Sequence, residues 1–182
     1  MSDTSITGPR WVGGHHVALT TADLDATVRF YHGLLGMELV GAYGPGSDHG
    51  AHVLLAAGGY IVHFFAQPEN PVQPVPAGWS ELGFRIIPGF LQHLALAVAT
   101  EGDLVVLRER LLAAGVECSA MIEQPPLRQF FLTDNNGIVW EVNWSPVTLE
   151  QMPPELRETL LFADPAPVPA VREIREGRFT RR

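Results

Sequence analysis

The chain has no lysine; all 12 of its basic residues are arginine. That excludes chemistry built on a Schiff-base lysine or a phosphate-loop lysine. It has a single cysteine, Cys118, which permits neither an internal disulfide nor a thiolate metal cluster. No Cys–His signature surrounds Cys118, so it reads as a small buried apolar residue. No stretch approaches the ~20 apolar residues of a membrane span. The opening residues MSDTSITGPR lack the apolar core of a signal peptide, and the expected location is the cytoplasm. Positive charge is also scarce. Twelve basic residues against 20 acidic ones leave a net charge of -8, which argues against nucleic acid and anionic membrane surfaces as partners.

What remains is 182 residues, 46% hydrophobic and 18% charged, enough for a substantial core. The order of elements repeats. His15 to Thr20 reads as a strand. Thr21 or Asp23 can cap a helix to about Leu35, with Leu24, Val28, Tyr31 and Leu35 at helical spacing and Gly36 closing it. Strands follow at Met37–Tyr43, His52–Ala57 and Tyr60–Phe65, the last two joined by Gly58-Gly59. Residues 67–90 form a proline-rich linker, in which Trp79 to Ile87 holds room for a short element. Then come a strand at Gln92–Ala99 and a helix from Gly102-Asp103 to Gly115, followed by strands at Val116–Ile122, Arg128–Thr133 and Ile138–Trp144. His16 and His93 are 77 positions apart, Gly36 and Gly115 79, and Gly59 and Gly137 78. A nearly constant period with one element order means two copies of a β-α-β-β-β unit. We therefore expect one domain over 1–145, with modules at 11–66 and 91–145. A helix at 146–163 and a tail complete residues 146–182; the tail is either disordered or wrapped on a partner subunit.

Strand side chains alternate between faces. In the first strand Val17 and Leu19 oppose His16, Ala18 and Thr20. In its counterpart Leu94, Leu96 and Val98 oppose His93, Ala95 and Ala97. Laying Gly59 on Gly137 lays His63 on Glu141. Glu141 is a carboxylate inside the apolar strand Ile138–Trp144, entered from the turn Asp134-Asn135-Asn136-Gly137, and burying it unpaired is costly. A lone strand histidine is more often a satisfied core or surface residue than a ligand. Four polar residues at repeat-related positions, all turned away from the helices, are a different case. Imidazoles and a carboxylate on rigid strands suit Zn²⁺, Mn²⁺, Ni²⁺ or Fe²⁺. His15 must face away from His16, and its counterpart is Gln92.

The stretches HHVALTTADLDATVRFYHGLLGMELV, LQHLALAV and FFLTDNNGIVWEVNW resemble the vicinal oxygen chelate superfamily of glyoxalases, bleomycin resistance proteins and extradiol dioxygenases. The resemblance covers about residues 11 to 145. It implies an α+β fold in which two βαβββ modules form a cupped mixed sheet around a divalent metal. Matched by position, the implied ligands are His16, His93 and Glu141, with His63 at the fourth place. The family's usual Asp-Pro before the last turn is Asp134-Asn135 here.

In that superfamily the metal takes two neighbouring substrate oxygens. Glyoxalase I-like members present two carboxylates among the four places; His63 replaces one of them. His16, His93 and Glu141 match the two-histidine, one-carboxylate pattern of non-haem Fe(II) oxygenases. His63 is then a fourth ligand or a catalytic acid/base. The favoured reading is an Fe(II) dioxygenase of the extradiol type on a small catechol-like substrate, with Mn, Ni, Co or Zn as alternative metals. Against it, Arg128–Thr133 holds Phe130 and Phe131 but no added catalytic His or Tyr. A lyase or isomerase acting on a small carbonyl compound is the first alternative. A non-catalytic binding or resistance protein is the second. Phe65, Phe131 and Trp79 could wall the pocket, and Arg128 either pairs with an anionic substrate group or is solvated. A homodimer is expected from the resemblance.

Overall fold

A computed structural model describes residues 13–72, 74–75, 78–81, 91–148, 151–161 and 169–178. Two mixed four-stranded sheets organise it. In the first module β1 (His16–Thr21), β2 (Glu38–Tyr43), β3 (His52–Ala57) and β4 (Tyr60–Ala66) lie in the order β1-β4-β3-β2. In the second, β5 (Leu94–Ala97), β6 (Ile122–Gln124), β7 (Leu127–Thr133) and β8 (Val139–Trp144) lie in the order β5-β8-β7-β6. Both repeat one plan: the first strand pairs parallel with the last, and the other pairs are antiparallel. The chain thus contains two βαβββ modules, each with its own sheet.

The helices start where side chains can satisfy free backbone N–H groups. Asp23 accepts from Ala26 N at 3.0 Å and caps α1 (Leu24–Val28). Thr100 and Asp103 form a reciprocal capping box on α2 (Glu101–Ala113). The first helix does not stay α-helical to Leu35. From Arg29 to Leu34 it widens into a π-helical turn, closed by Leu35 N to Phe30 O at 2.9 Å.

Three further expectations are corrected. Val116–Ile122 is not a strand; Cys118 makes a single bridge to Leu132, and regular pairing begins at Ile122. Arg108 explains the interruption, since Nε and Nη2 both donate to Ser119 O and occupy that strand-forming carbonyl. The helix expected at 146–163 is α3 (Pro154–Leu161), starting at the proline that suits a first helical position. Part of the tail is helical, as α4 (Pro169–Arg175). Within the linker, Trp79–Glu81 forms one 3-10 turn. The arm at 1–12 and residues 82–90 lie outside the described residues.

One core joins the modules. Tyr31, Leu55, Val62 and Phe64 from the first cluster with Leu104, Phe130, Leu132 and Trp140 from the second, all at most 1% exposed. Each such side chain contributes roughly 1.5–3 kcal/mol of burial. Tyr31 is the pivot: its ring centroid lies 4.8 Å from that of Phe64 and 5.8 Å from that of Trp140. Its hydroxyl donates to Asp134 Oδ2 at 2.7 Å.

Candidate metal centre

Asp134 begins the turn that launches β8. Its Oδ1 accepts from Asn136 N and Ile138 N, both at 2.8 Å, and Gly137 supplies the left-handed residue at φ 76°. Thr21, at the end of β1, donates to Asn136 Oδ1 at 2.7 Å, and Asn135 Nδ2 donates to Thr27 Oγ1 at 3.0 Å. The second module's last turn is therefore bolted to the first module's strand and helix. Burial pushes the Asp134 carboxyl above its ordinary range, against the pull of its hydrogen bonds from Tyr31, Ile138 and Asn136. Burial, then the nearby Asp134 charge, raises Tyr31 well above its ordinary value.

Strand alternation does the aiming. Val62 and Phe64 are buried in the core, so His63 between them points away from it. Trp140 and Val142 do the same for Glu141 on β8. Register places Ala18 beside His63 and Ala95 beside Glu141, so small residues flank both.

Two of the four candidates are in direct contact. In the second module His93 Nε2 lies 3.2 Å from Glu141 Oε2. Gln92 Oε1 lies 3.1 Å from His93 Nδ1. An amide oxygen only accepts, so Nδ1 carries the hydrogen and the neutral ring presents the Nε2 lone pair to the carboxylate. Two lone pairs at that spacing call for something positive between them, a proton or a cation. Glu141 is 8% exposed, and Asn143 Nδ2 donates to its Oε1 at 2.7 Å. The ring of His93 meets Phe131 edge-on at 5.4 Å, and Phe131 packs with Trp79 and Val139.

In the first module His15 does not face away from His16 as expected: it precedes β1, outside the strand's alternation, and its Nδ1 lies 2.7 Å from His16 Nδ1. The residue before each candidate histidine thus meets that histidine's Nδ1, His15 in one repeat and Gln92 in the other. This is how proteins fix the orientation of an imidazole whose Nε2 is to bind a metal. His63 Nε2 is buried and without a hydrogen-bond partner. Burial lowers the His63 pKa, and His52, His16 and His49 lower it further by repulsion, so the ring is neutral and its lone pair available near pH 7. These donors suit a divalent transition metal. Yet among the described residues no three His, Cys, Asp or Glu side chains gather where one ion could sit. His93 and Glu141 thus meet in the second module, while in the first His16 lies near enough to His63 to act on it electrostatically.

Arg128 is committed within the protein, paired with Glu101 and, at 2.6 Å, with Glu123. Phe65 sits against His63, ring centroids 4.1 Å apart. Two histidines escaped the sequence reading. His52 lies 4.9 Å from His63 ring to ring, and His49 lies 6.4 Å from His52. The signal was available for His52: the two-residue Gly58-Gly59 turn pairs Ala57 with Tyr60, which pairs Leu54 with His63 and puts His52 on the same face. His49 lies in a loop, where no alternation rule applies.

The sequence profile described as Glyoxalase/Bleomycin resistance protein/Dioxygenase superfamily matches residues 13–142. Solved structures with the same fold include a glyoxylase/bleomycin resistance protein/dioxygenase domain from Frankia sp. EAN1pec, 23% identical, covering 78% of this chain and 98% of that one at a TM-score of 0.61. TnmS3, an antibiotic binding protein from Streptomyces sp. CB03234, is 18% identical over 76% of this chain and 99% of its own, with a TM-score of 0.56. A mutant of the fosfomycin resistance protein FosX from Listeria monocytogenes, complexed with Mn(II) and 1S,2S-dihydroxypropylphosphonic acid, is 18% identical over 78% of this chain and 98% of its own, with a TM-score of 0.56. No curated protein matches the chain. No described helix is long and apolar enough to cross a membrane.

Proposed function

Because the chain belongs to the glyoxalase/bleomycin resistance protein/dioxygenase superfamily, we propose that it is a divalent-metal-dependent enzyme acting on a small substrate with two neighbouring oxygens, of the extradiol dioxygenase type. The observation that carries this reading is the pair of half-sites, each with a histidine met at Nδ1 by the residue before it and with a second donor nearby. His16, His93 and Glu141 would hold the ion, Fe(II) by preference and Mn, Ni, Co or Zn otherwise. The bound ion would supply Lewis acidity to both substrate oxygens. Glu141 contributes the negative charge that offsets the ion. His63, neutral and unpartnered at Nε2, takes a proton from a substrate hydroxyl.

The half-sites also imply a homodimer. His16, Ala18 and Thr20 on β1, and Ala95 and Ala97 on β5, leave the helix-distal faces exposed, and both strands are sheet edges. A second copy that sets its β5 face against this β1 face would bring His16 and His63 to His93 and Glu141 of that copy.

Metal analysis with oxygen uptake over a catechol panel tests the proposal. Bound iron with oxygen consumed on turnover is expected. Ni²⁺, Co²⁺ or Zn²⁺ with anaerobic turnover would transfer the chain to the lyase or isomerase reading. A second reading, a small-molecule binding protein without catalysis, is favoured by the lack of any three-donor cluster among the described residues of one chain. A metal-free protein that binds ligand tightly would support it.

A further inference from the structure

Two helices of this chain carry exposed apolar faces. α2 seats Leu104 and Leu111 in the core, both fully buried. At 3.6 residues per turn, its opposite side presents Gly102, Val105, Val106, Glu109, Leu112 and Ala113. A surface helix ordinarily turns charged and polar residues to solvent there. Here Val106 is 55% and Leu112 44% exposed, on either side of Glu109. α4 is the second helix. It closes on Gly177 at φ 67°, where Arg178 N donates to Glu173 O at 2.8 Å. It buries none of its residues, and Ile174 is 59% exposed. Val171 lies one turn before Ile174, on the same side. A helix this short is marginal in water unless it packs on something.

Charge selects what that something is. Residues 169–182 hold five arginines and two glutamates, net +3; the rest of the chain holds seven arginines and 18 acidic residues, net -11. Nucleic acid and anionic membranes would repel the body that carries this basic helix. A second copy of the chain offers an acidic body with an apolar helix face on it. We propose that α4 of one copy docks on the outer face of α2 of a second copy, Val171 and Ile174 against Val106 and Leu112, with Arg175 beside Glu109. By two-fold symmetry each copy then gives one helix and receives one. This contact adds to the homodimer reading and is independent of the metal centre.

Sedimentation equilibrium of the full-length protein tests it, in chelator so that no bound ion contributes. Wild type should dimerise. Ile174→Asp and Val106→Asp should each raise the dimer Kd at least about tenfold; both positions are exposed, so circular dichroism should show an unchanged fold. Glu109→Arg and Arg175→Glu should each weaken the dimer, and the two combined should associate more tightly than either alone. A wild type that stays monomeric would overturn the proposal, as would a combined variant no tighter than the singles. A dimer indifferent to both Asp variants would overturn it and leave association to the β1 and β5 faces. A lower melting temperature of Ile174→Asp than of wild type, both measured as monomers, would place α4 on its own chain instead. Binding of wild type to phosphatidylglycerol vesicles at physiological salt, lost in Ile174→Asp, would give the helix to a membrane and overturn the proposal too.

Discussion

Glu141→Gln separates the two roles this carboxylate could have. The substitution keeps size and shape. Oε1 still accepts from Asn143 Nδ2, now at 2.7 Å, and the new amide donates to His93 Nε2 in place of the carboxylate oxygen at 3.2 Å. The side chain is 8% exposed, so removing its charge removes a desolvation cost. The metal-free variant should match or exceed wild type within about 1 kcal/mol. Metal reverses the order. A ligand present at a hundred times its Kd stabilises the folded state by about 2.7 kcal/mol. At ~2–4 °C per kcal/mol for a chain of this size, the wild-type melting temperature rises by roughly 5–11 °C. If losing the anionic ligand weakens binding on the order of 100-fold, the same metal concentration raises the variant by only ~1–2 °C. The assay is thermal unfolding with and without Fe(II) under anaerobic conditions, repeated with Mn(II). An equal rise in both proteins would remove Glu141 from the ligand set. A collapse of the metal-free variant would make it a structural residue.

Other consequences are more local. Asp134→Ala leaves two backbone N–H groups and the Tyr31 hydroxyl without their acceptor, and should cost about 2–4 kcal/mol in urea denaturation; a loss below about 1 kcal/mol would show that water replaces the turn. Burial raises Asp134 above its ordinary value of 3.8. The stability it contributes through that shift is complete below that value and is lost as pH rises through the folded one. Asp134→Asn should therefore gain on wild type between about pH 4 and neutrality, read by urea midpoints across that range. Leu104→Ala, at a fully buried position facing the joint core, should cost about 2–5 kcal/mol, and both modules should melt together when followed by tryptophan fluorescence and circular dichroism. His63→Ala should keep its metal and lose most of its rate; loss of metal by elemental analysis would make His63 a ligand instead of an acid/base.

The repeat carried most of what could be read from the chain. Hydrophobic alternation placed β3, β4, β7 and β8 to within a residue or so, and the glycines at 36, 58, 115 and 137 all take the positive φ their turns need. Alternation also aimed His63 and Glu141 correctly, because it is a local property. What failed was set by contacts between segments. Val116–Ile122 has the composition of a strand, but Arg108 from α2 claims the Ser119 carbonyl. The π-helical turn after Val28 follows from how Tyr31 must seat against Trp140 and Asp134, far away in sequence. The four candidate residues could be named from the repeat, but not their division between the two modules. Their separation depends on the modules packing through Tyr31, Leu104 and Trp140, which no strand pattern encodes.

That separation is the central claim, and mixing two inactive variants tests it. His16→Ala and Glu141→Ala each spoil every site in their own homodimers. If each site takes His16 from one chain and Glu141 from the other, half of the randomly re-associated dimers are mixed. Each mixed dimer then has one doubly altered site and one intact site. Metal content and turnover should recover to about a quarter of the wild-type value. No recovery after verified subunit exchange would contradict the shared site and return the four residues to a single chain.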